Sequence, residues 1–186
     1  MITNLTEISN FLKNKEICLL GNSRSILKNP KNIDSYDIIC RINKGVPVGK
    51  EQFIGSRTDV LFLATRMEES SIKKFNSKFV VWTTNNKKLQ SDWVKENAIQ
   101  NPSEDWQELK SLFPNDKLPS TGLVTIQFLI KHADFKKLTI YGFDFFELSG
   151  TWYHNLKNQP WHVGKIEKKL ILTWIKEKKN ISLIIE

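Results

Sequence analysis

The chain alternates short apolar runs with longer stretches in which apolar residues recur at helical spacing. The apolar runs lack the in-and-out alternation of a half-exposed strand, so they are typical of strands that are buried on both faces of a sheet. They lie at residues 17–20, 36–42, 59–63, 78–82, 138–141 and 181–185. Strands that alternate with helices predict an α/β fold with a doubly wound, mostly parallel sheet flanked by helices.

The stretches between the strands predict the helices of this fold. They place helices at residues 3–14, 24–28, 67–75, 91–98, 103–112, 120–132 and 162–178. Residues 43–56 are predicted to form a loop, because they are rich in glycine and proline. A length of 186 residues, with no internal repeat or linker, predicts one Rossmann-like domain over residues 1–186.

One helix start has the residues expected of an anion site. The segment Pro119-Ser120-Thr121-Gly122 precedes the apolar-periodic run 123–132. Ser120 is predicted to cap the helix, because its hydroxyl accepts from a free N–H group of the first turn. The remaining N–H groups and the helix dipole favour an anion, and Gly122 lets a phosphate approach the backbone. On these four residues alone, an ordinary capped helix is the simpler interpretation.

The predicted sheet brings other polar segments to the same place. In doubly wound folds, ligands bind beside the carboxyl ends of the strands, where the connecting loops begin. Residues 21–23 follow the first predicted strand, Asn43 follows the second, and the loop 142–161 follows the strand 138–141. We therefore expect these segments and the helix start at Ser120 to line one crevice.

Composition and net charge limit the classes of binding partner that are expected, but they do not identify a single class. Hydrophobic residues make up 40% of the chain and charged residues 26%, as in ordinary soluble globular proteins. No run approaches the ~20 apolar residues needed to span a membrane, so we expect a cytoplasmic protein, or one bound peripherally to the inner face of a membrane. The net charge of +8 suggests anionic partners, namely nucleic acid, an anionic membrane surface, or phosphorylated and acidic sugars. The lysines are scattered in short groups, so charge does not select among these partners.

The chain has too few cysteines for a framework of disulfides, and its few histidines do not suggest a zinc site. Cys18 and Cys40 both fall in apolar runs, so buried free thiols are expected, although adjacent strands would also allow a disulfide between them. The three histidines have no acidic pair around them at ligand spacing, so no zinc site is predicted. Residues 45–51 are unlike a phosphate-binding P-loop, because they lack its glycine spacing and the Ser or Thr after lysine.

Three segments carry the strongest signal when they are taken together and in order. They are residues 18–58, with Asn22 and Asn43 after predicted strands, residues 119–143, and the pair His162 and Glu167 in the spacing His-x-x-x-x-Glu. These segments resemble the large, small and very small sialyl motifs of the animal-type sialyltransferases, glycosyltransferase family 29. The segment 140–145 and the helix–strand ending are also similar to the bacterial sialyltransferases of family 42.

The resemblance implies a fold and an activity. The fold would be a GT-A-like variant of the Rossmann-like domain. The activity would be that of an inverting, metal-independent glycosyltransferase, which moves an acidic sugar, usually sialic acid, from a CMP-sugar donor to a hydroxyl group of a glycan acceptor. No cofactor or metal would be required, because the CMP-sugar is a co-substrate. The partners would be the donor and the glycan acceptor, with an anionic membrane surface as a further candidate and no nucleic acid expected.

Carried over residue by residue, the resemblance also assigns roles. Its donor-binding residues would be Asn22, Ser23, Asn43, Ser120, Thr121, Gly122, Phe143 and His154. His162 would be the catalytic base, which suits an imidazole group with an ordinary pKa of ~6.5. Glu167, about one helical turn further on, is expected to orient its neighbours rather than take part in the chemistry. Without the resemblance, His162 would be interpreted only as a residue near a helix start.

The resemblance has departures, and it leaves alternatives open. Ala133 stands where the animal enzymes have the second cysteine of a disulfide, and Asp144 stands where some members have glycine. Nothing in the motifs separates sialic acid from another CMP-activated acid, such as Kdo. An alternative from a different class is a non-catalytic module that binds nucleotides or nucleic acid, which the positive charge and the interspersed tryptophans suggest.

Overall fold

The computed structural model describes residues 4–146 and 162–184, which form a parallel sheet with helices on both faces. The strands are β1 Glu16–Leu20, β2 Ile38–Ile42, β3 Val60–Leu63, β4 Phe79–Trp82, β5 Ile99–Gln100, β6 Lys137–Tyr141 and β7 Ile181–Ile184. The helices are α1 Leu5–Leu12, α2 Glu51–Ile54, α3 Glu69–Lys73, α4 Asp92–Asn97, α5 Ser103–Ser111, α6 Thr121–His132 and α7 Gly164–Glu177. The strand order is β5-β4-β3-β2-β1-β6-β7, and all neighbouring strands are parallel. The predicted α/β fold with a doubly wound sheet is confirmed.

Both faces of the sheet are covered, which explains the continuous apolar runs in the sequence. One face packs against α1, α5, α6 and α7, whose buried residues include Ile8, Leu109, Leu129 and Ile171. The opposite face is covered by α3 and α4 near β3 and β4, and by α2 near β1 and β2. In β1, residues 17–20 are at most 1% exposed. Burial of apolar surface on both sides therefore holds the central strands between two layers of helices.

The two cysteines lie on neighbouring strands but on opposite faces of the sheet. Cys18 pairs in register with Ile39, and Cys40 pairs with Leu19, so their side chains pack into different clusters. Both thiols are buried and free. Burial raises the pKa of the Cys18 thiol to about 12 and raises the pKa of Cys40 well above its ordinary value. The free thiols expected from the sequence are confirmed, and the disulfide that the sequence left open does not form.

The order of the strands changes direction between β1 and β6. From β1 the chain continues outward to β5, and it then returns to β6 on the other side of β1. The loops that leave the carboxyl ends of β1 and β6 therefore diverge and leave a crevice. At the floor of this crevice, Gly21 N donates to Tyr141 O at 2.8 Å and Ser23 N donates to Gly142 O at 3.1 Å. A Cβ atom on Gly21 would lie 2.3 Å from the Gly142 oxygen, so only glycine fits there.

A few elements differ from the sequence prediction. The sequence does not predict β5, because a strand of 2 residues gives too short an apolar run. The helix α2 lies within the predicted loop 43–56, where Gly55, with φ +67°, ends a single turn. The helix α7 begins at Gly164, later than predicted, because Val163 is still extended. In the described part of the chain, no helix is both long and apolar enough to cross a bilayer.

Candidate functional site

A cleft opens at the carboxyl ends of β1, β2 and β6, where the crevice is predicted. It is lined by the loops after these strands and by the starts of α6 and α7. The lining residues are Gly21, Asn22, Ser23, Ile42, Asn43, Ser120, Thr121, Gly122, Gly142, Phe143, Asp144, Phe145, Phe146, His162 and Glu167. The empty volume of the cleft is about 550 Å³, including its open mouth.

The cleft brings together the predicted site residues that fall in the described part of the chain. His162 lines it, and so do Asn22, Ser23, Asn43, Ser120, Thr121, Gly122 and Phe143. The remaining donor-binding residue of the prediction, His154, lies outside the described residues. The functional roles of all these residues stay predictions.

The start of α6 has the geometry of an anion site. Ser120 is the N-cap, and its Oγ accepts from Leu123 N at 3.2 Å, as the sequence predicts. Val124 N donates to the Ser120 carbonyl oxygen. Within residues 4–146 and 162–184, the amides of Thr121 and Gly122 have no acceptor. Their N–H groups therefore remain at the positive end of the helix dipole, where an anion is favoured.

The ring of Phe143 leaves no room for a side chain at position 122, so glycine is required there. A Cβ atom on Gly122 would lie 2.5 Å from Cε1 of the Phe143 ring, and one on Gly21 would lie 2.7 Å from Cδ2 of the same ring. The ring therefore packs against the backbones of the β1 loop and the α6 start together. A closely approaching phosphate was the reason expected from the sequence, whereas an aromatic ring occupies that side of Gly122 in the structure.

Glu167 holds the start of α6 from the neighbouring helix. Its side chain is buried, with Oε1 accepting from Ser120 N at 2.9 Å and Oε2 accepting from Ser120 Oγ at 2.6 Å. Burial raises the pKa of this carboxyl group to about 7, although both hydrogen bonds from Ser120 act in the opposite direction. The carboxyl group therefore takes up a proton more readily than an exposed glutamate does. Its contacts fit the orienting role expected for it.

One ring nitrogen of His162 has a defined hydrogen-bond partner. Its Nδ1 lies 3.0 Å from the carbonyl oxygen of Leu118, and a carbonyl oxygen can only accept, so Nδ1 carries the hydrogen. In the neutral ring, Nε2 is then the basic nitrogen. Burial lowers the pKa of His162, although the bond to Leu118 acts in the opposite direction. The ring also stacks on Phe146, with 5.2 Å between the ring centroids and 16° between the planes. These contacts hold a neutral imidazole in one tautomer and one orientation.

Asn43 ties three segments of the cleft together. Its backbone is in the left-handed region, with φ 50°, which asparagine tolerates better than most residues. Its Nδ2 donates to Thr121 Oγ1 at 3.1 Å, and its Oδ1 accepts from Ala64 N at 2.9 Å. The side chain therefore joins the loop after β2 to the loop after β3 and to the start of α6. Thr121 Oγ1 is thereby fixed beside the free amides.

Asn22 and Ser23, in the loop after β1, are engaged differently. Asn22 Nδ2 donates to the Ile42 carbonyl oxygen at 3.2 Å, which fixes the amide so that Oδ1 is its acceptor end. In the described residues, that buried Oδ1 has no hydrogen-bond partner. The hydroxyl of Ser23 is engaged within its own loop, because its Oγ accepts from Ser25 N at 3.2 Å and caps a short 3-10 helix. Asn22 therefore has a buried acceptor oxygen without a partner among the described residues, whereas the hydroxyl of Ser23 mainly shapes the loop.

The loop after β6 is held in an unusual backbone conformation. Phe145 and Phe146 both have positive φ angles, of 53° and 61°. Such residues persist only where the surroundings over-determine them, and they concentrate at functional sites. Asp144 Oδ1 accepts from Phe146 N at 3.2 Å, and the carbonyl of Phe145 packs so close to Gly164 that no side chain fits there. The loop is thereby fixed to the start of α7, with Phe146 against His162.

Sequence reasoning missed Leu118 and Phe146 as parts of this site. The aromatic residues after Gly142 are a signal for Phe146, since large rings in a polar loop call for an explanation. Leu118 acts through its carbonyl oxygen, which every residue has, so no signal in the sequence marks it. In residues 4–146 and 162–184, no group of His, Cys, Asp or Glu is placed to hold a metal ion.

The sequence matches no protein-family model and no curated protein. The fold does have counterparts among solved structures. A mammalian sialyltransferase superposes with a TM-score of 0.58 at 20% identity, over 92% of this chain and 69% of that chain. The chain has a sialyltransferase fold. Cst-I, a monofunctional alpha-2,3-sialyltransferase from Campylobacter jejuni, superposes with a TM-score of 0.64 at 15% identity, over 93% of this chain and 76% of that chain.

The bacterial sialyltransferase CstII, also from Campylobacter jejuni, has the same fold. Its complex with the substrate analogue cytidine-5'-monophosphate superposes with a TM-score of 0.63 at 14% identity, over 92% of this chain and 80% of that chain. Animal and bacterial sialyltransferases, which are the two groups that the sequence resembles, are thus both among the structural neighbours. The fold implied by the resemblance is confirmed.

Proposed function

We propose that this protein is a glycosyltransferase that moves an acidic sugar, most simply sialic acid, from a CMP-sugar to a hydroxyl group of a glycan acceptor. One observation carries the proposal. The imidazole of His162, oriented by its hydrogen bond to the Leu118 carbonyl oxygen, lines the same cleft as an anion-favouring helix start, within a sialyltransferase fold. A base for the acceptor hydroxyl and a site for the leaving phosphate are the two things that this transfer needs.

The nucleotide end of the donor binds at the start of α6 in this proposal. The free N–H groups of Thr121 and Gly122 receive the phosphate, and the helix dipole stabilises the charge that develops as CMP leaves. Asn22 Oδ1 accepts from a hydroxyl or amino group of the nucleotide, which supplies the partner that this buried oxygen lacks. Asn43 acts mainly through Thr121, because both ends of its amide already have partners.

His162 supports the chemical step. Its Nε2 takes the proton of the acceptor hydroxyl while the acceptor oxygen attacks the anomeric carbon from the face opposite the phosphate. A bond forms between the acceptor oxygen and the anomeric carbon, the bond from that carbon to the phosphate oxygen breaks, and its electron pair leaves with CMP. The configuration at the anomeric carbon is therefore inverted. The imidazolium then returns its proton to water, so the step uses no metal or cofactor.

A donor screen in the presence of EDTA tests this function. CMP-sialic acid, CMP-Kdo and a UDP-sugar are each incubated with the protein and a galactose-terminated acceptor, and CMP or UDP release and product mass are followed. We expect release and transfer with CMP-sialic acid and none with the UDP-sugar. Transfer from CMP-Kdo alone would replace sialic acid with that sugar. No turnover of any CMP-sugar over a range of acceptors, together with tight salt-sensitive binding to nucleic acid, would contradict the proposal.

We place the protein in the cytoplasm as part of the same proposal. Cys18 and Cys40 are buried without a disulfide, and Ala133 replaces the second cysteine of the animal enzymes, as suits a reducing compartment. The compartment is checked by cell fractionation, with recovery in an oxidising compartment as the contrary result.

A further inference from the structure

The outer face of α7 carries a line of lysines with one leucine among them. Lys165, Lys169, Leu172 and Lys176 recur at intervals of four, three and four residues, so they stack along one side of the helix. All four are exposed, and Leu172 is 41% exposed, which makes it one of the most exposed large apolar side chains described. We call these four residues the α7 stripe. At 1.5 Å per residue, the stripe is about 16 Å long.

The charge of the α7 stripe is not neutralised by neighbouring carboxylates. Some lysines on other elements are paired with carboxylates, as Lys131 is with Asp105 at 2.7 Å. In the described part of the chain, no carboxylate lies within ion-pair distance of the three stripe lysines. Of the two acidic residues in α7, Glu167 is buried and only Glu177 is exposed. The stripe therefore presents uncompensated positive charge to its surroundings.

Two more lysines extend this charge beyond the helix. Lys178 and Lys179 follow α7 directly and are also exposed. They lie in the connection to β7, so the charged region continues to the edge of the sheet. A cluster of four or more lysines on one amphipathic helix and its end is a known form of attraction to anionic lipids.

We propose that the α7 stripe docks the protein on an anionic lipid bilayer. The lysines lie against the headgroups, and Leu172 enters the boundary between headgroups and acyl chains. Leu172 decides between a bilayer and a soluble polyanion. Phosphates or carboxylates on a flexible chain in water need only the lysines, whereas a bilayer also buries an exposed apolar side chain.

Docking through this face keeps the cleft close to the membrane. The helix α7 follows directly after His162, and its buried Glu167 contacts the start of α6 in the cleft. The docked helix is thus in direct contact with the residues of the cleft. An acceptor attached to a lipid would then be presented near the cleft. The docking surface does not depend on the transfer reaction, so binding to vesicles can be measured without donor or acceptor.

The test is vesicle co-sedimentation with the full chain. Vesicles are made from phosphatidylcholine alone or from phosphatidylcholine with phosphatidylserine. We expect binding only when phosphatidylserine is present, and weaker binding at high salt. Each lysine near an anionic surface strengthens binding by about fivefold, so the variant Lys165→Gln/Lys169→Gln/Lys176→Gln should bind about 100-fold more weakly. No binding of the wild type to phosphatidylserine vesicles at low salt would overturn the proposal.

Two matched variants make the result specific. Lys13→Gln/Lys28→Gln/Lys88→Gln removes the same charge from exposed lysines on other elements, and it should keep most of the binding. Equal loss in this variant would show that total charge, not the stripe, attracts the bilayer, and would overturn the proposal.

Leu172→Ser should weaken binding to vesicles several-fold and leave binding to a soluble polyanion such as polyphosphate unchanged. If Leu172→Ser has no effect on vesicles, the stripe binds a soluble polyanion instead and the lipid assignment is wrong.

Discussion

The two helices that begin at the cleft are built in different ways. The helix α6 starts with a local cap, in which Ser120 Oγ accepts from Leu123 N, and residues 122–129 are all buried. The helix α7 has no side-chain cap, and its first turn is fixed by distant contacts. His162 bonds to the Leu118 carbonyl and Glu167 bonds to Ser120.

This difference assigns different chemistry to the two helices. The start of α6 presents backbone N–H groups, whose charge does not change with pH. The region of α7 presents two titratable groups, His162, whose pKa burial lowers, and Glu167, whose pKa burial raises to about 7. In the proposed reaction, α6 stabilises the leaving phosphate and α7 supplies the group that moves the proton. Substitutions on the two sides should therefore separate donor binding from catalysis.

The largest effect is expected at His162. Replacing it with alanine removes the base and should lower kcat by about 10²–10⁴-fold, while the Kd for CMP changes little. Steady-state kinetics and CMP titration check this. In the wild type, activity should fall as the pH drops through the pKa of His162, which burial places below its ordinary value, because protonation removes the basic nitrogen. Transfer at the wild-type rate by His162→Ala would show that another group is the base.

The next largest effect concerns Glu167 and pH. Its folded-state pKa of about 7 lies above the ~4.3 of an unfolded glutamate, so the folded state binds this proton more tightly. The stabilisation is fully present below ~4.3 and is lost as the pH rises to about 7, with a total of about 4 kcal/mol. Glu167→Gln should remove this slope from the free energy of unfolding in urea. The exposed Glu177→Gln is the control and should retain it. A slope unchanged in Glu167→Gln would mean that another group titrates.

A smaller effect is expected where Phe143 packs on α6. In Gly122→Ala, the new Cβ meets the ring at 2.5 Å, which should destabilise the protein by about 1–3 kcal/mol and weaken CMP binding. In Phe143→Leu/Gly122→Ala, the smaller side chain should relieve part of that cost. Urea unfolding of the two single variants and the double variant measures the coupling. Strictly additive effects would be evidence against the contact as the reason for glycine at position 122.

The smallest effects compare the two asparagines. Asn43 has partners at both ends of its side chain, so Asn43→Ala should lower the free energy of unfolding by about 1–3 kcal/mol. Asn22 has an acceptor oxygen without a partner, so Asn22→Ala should cost less stability and should weaken CMP binding by about tenfold. Unfolding and calorimetric titration of both variants check the difference. The reverse pattern would exchange the roles assigned to these residues.

The sequence predicts the parts of the site that depend on local chemistry. Ser120 as a cap, the loops at 21–23 and Asn43, and their meeting at one edge of the sheet all follow from strand ends and helix-start residues. The tautomer of His162 cannot be predicted from such local features, because it is set by the carbonyl oxygen of Leu118, 44 residues away in sequence. The raised pKa of Glu167 also depends on burial between two helices, which no local pattern records.

Glycine at position 122 illustrates the same limit of local patterns. The sequence indicates only that a small residue is needed beside a helix start. The neighbour that requires it, Phe143, belongs to the loop after β6 and meets Gly122 only once the sheet is assembled. The positive φ angles of Phe145 and Phe146 are likewise unmarked in the sequence and occur where the loop packs against the start of α7. Long-range packing therefore decides the details that local sequence leaves open.

The most direct test of the central claim is a calorimetric titration of the protein with CMP, UMP and AMP in the presence of EDTA. We expect CMP to bind more tightly than UMP and AMP without added metal, and we expect His162→Ala to keep this preference while losing transfer from CMP-sialic acid. Equal affinity for the three nucleotides, or no binding to any of them, would contradict a CMP-sugar site in this cleft.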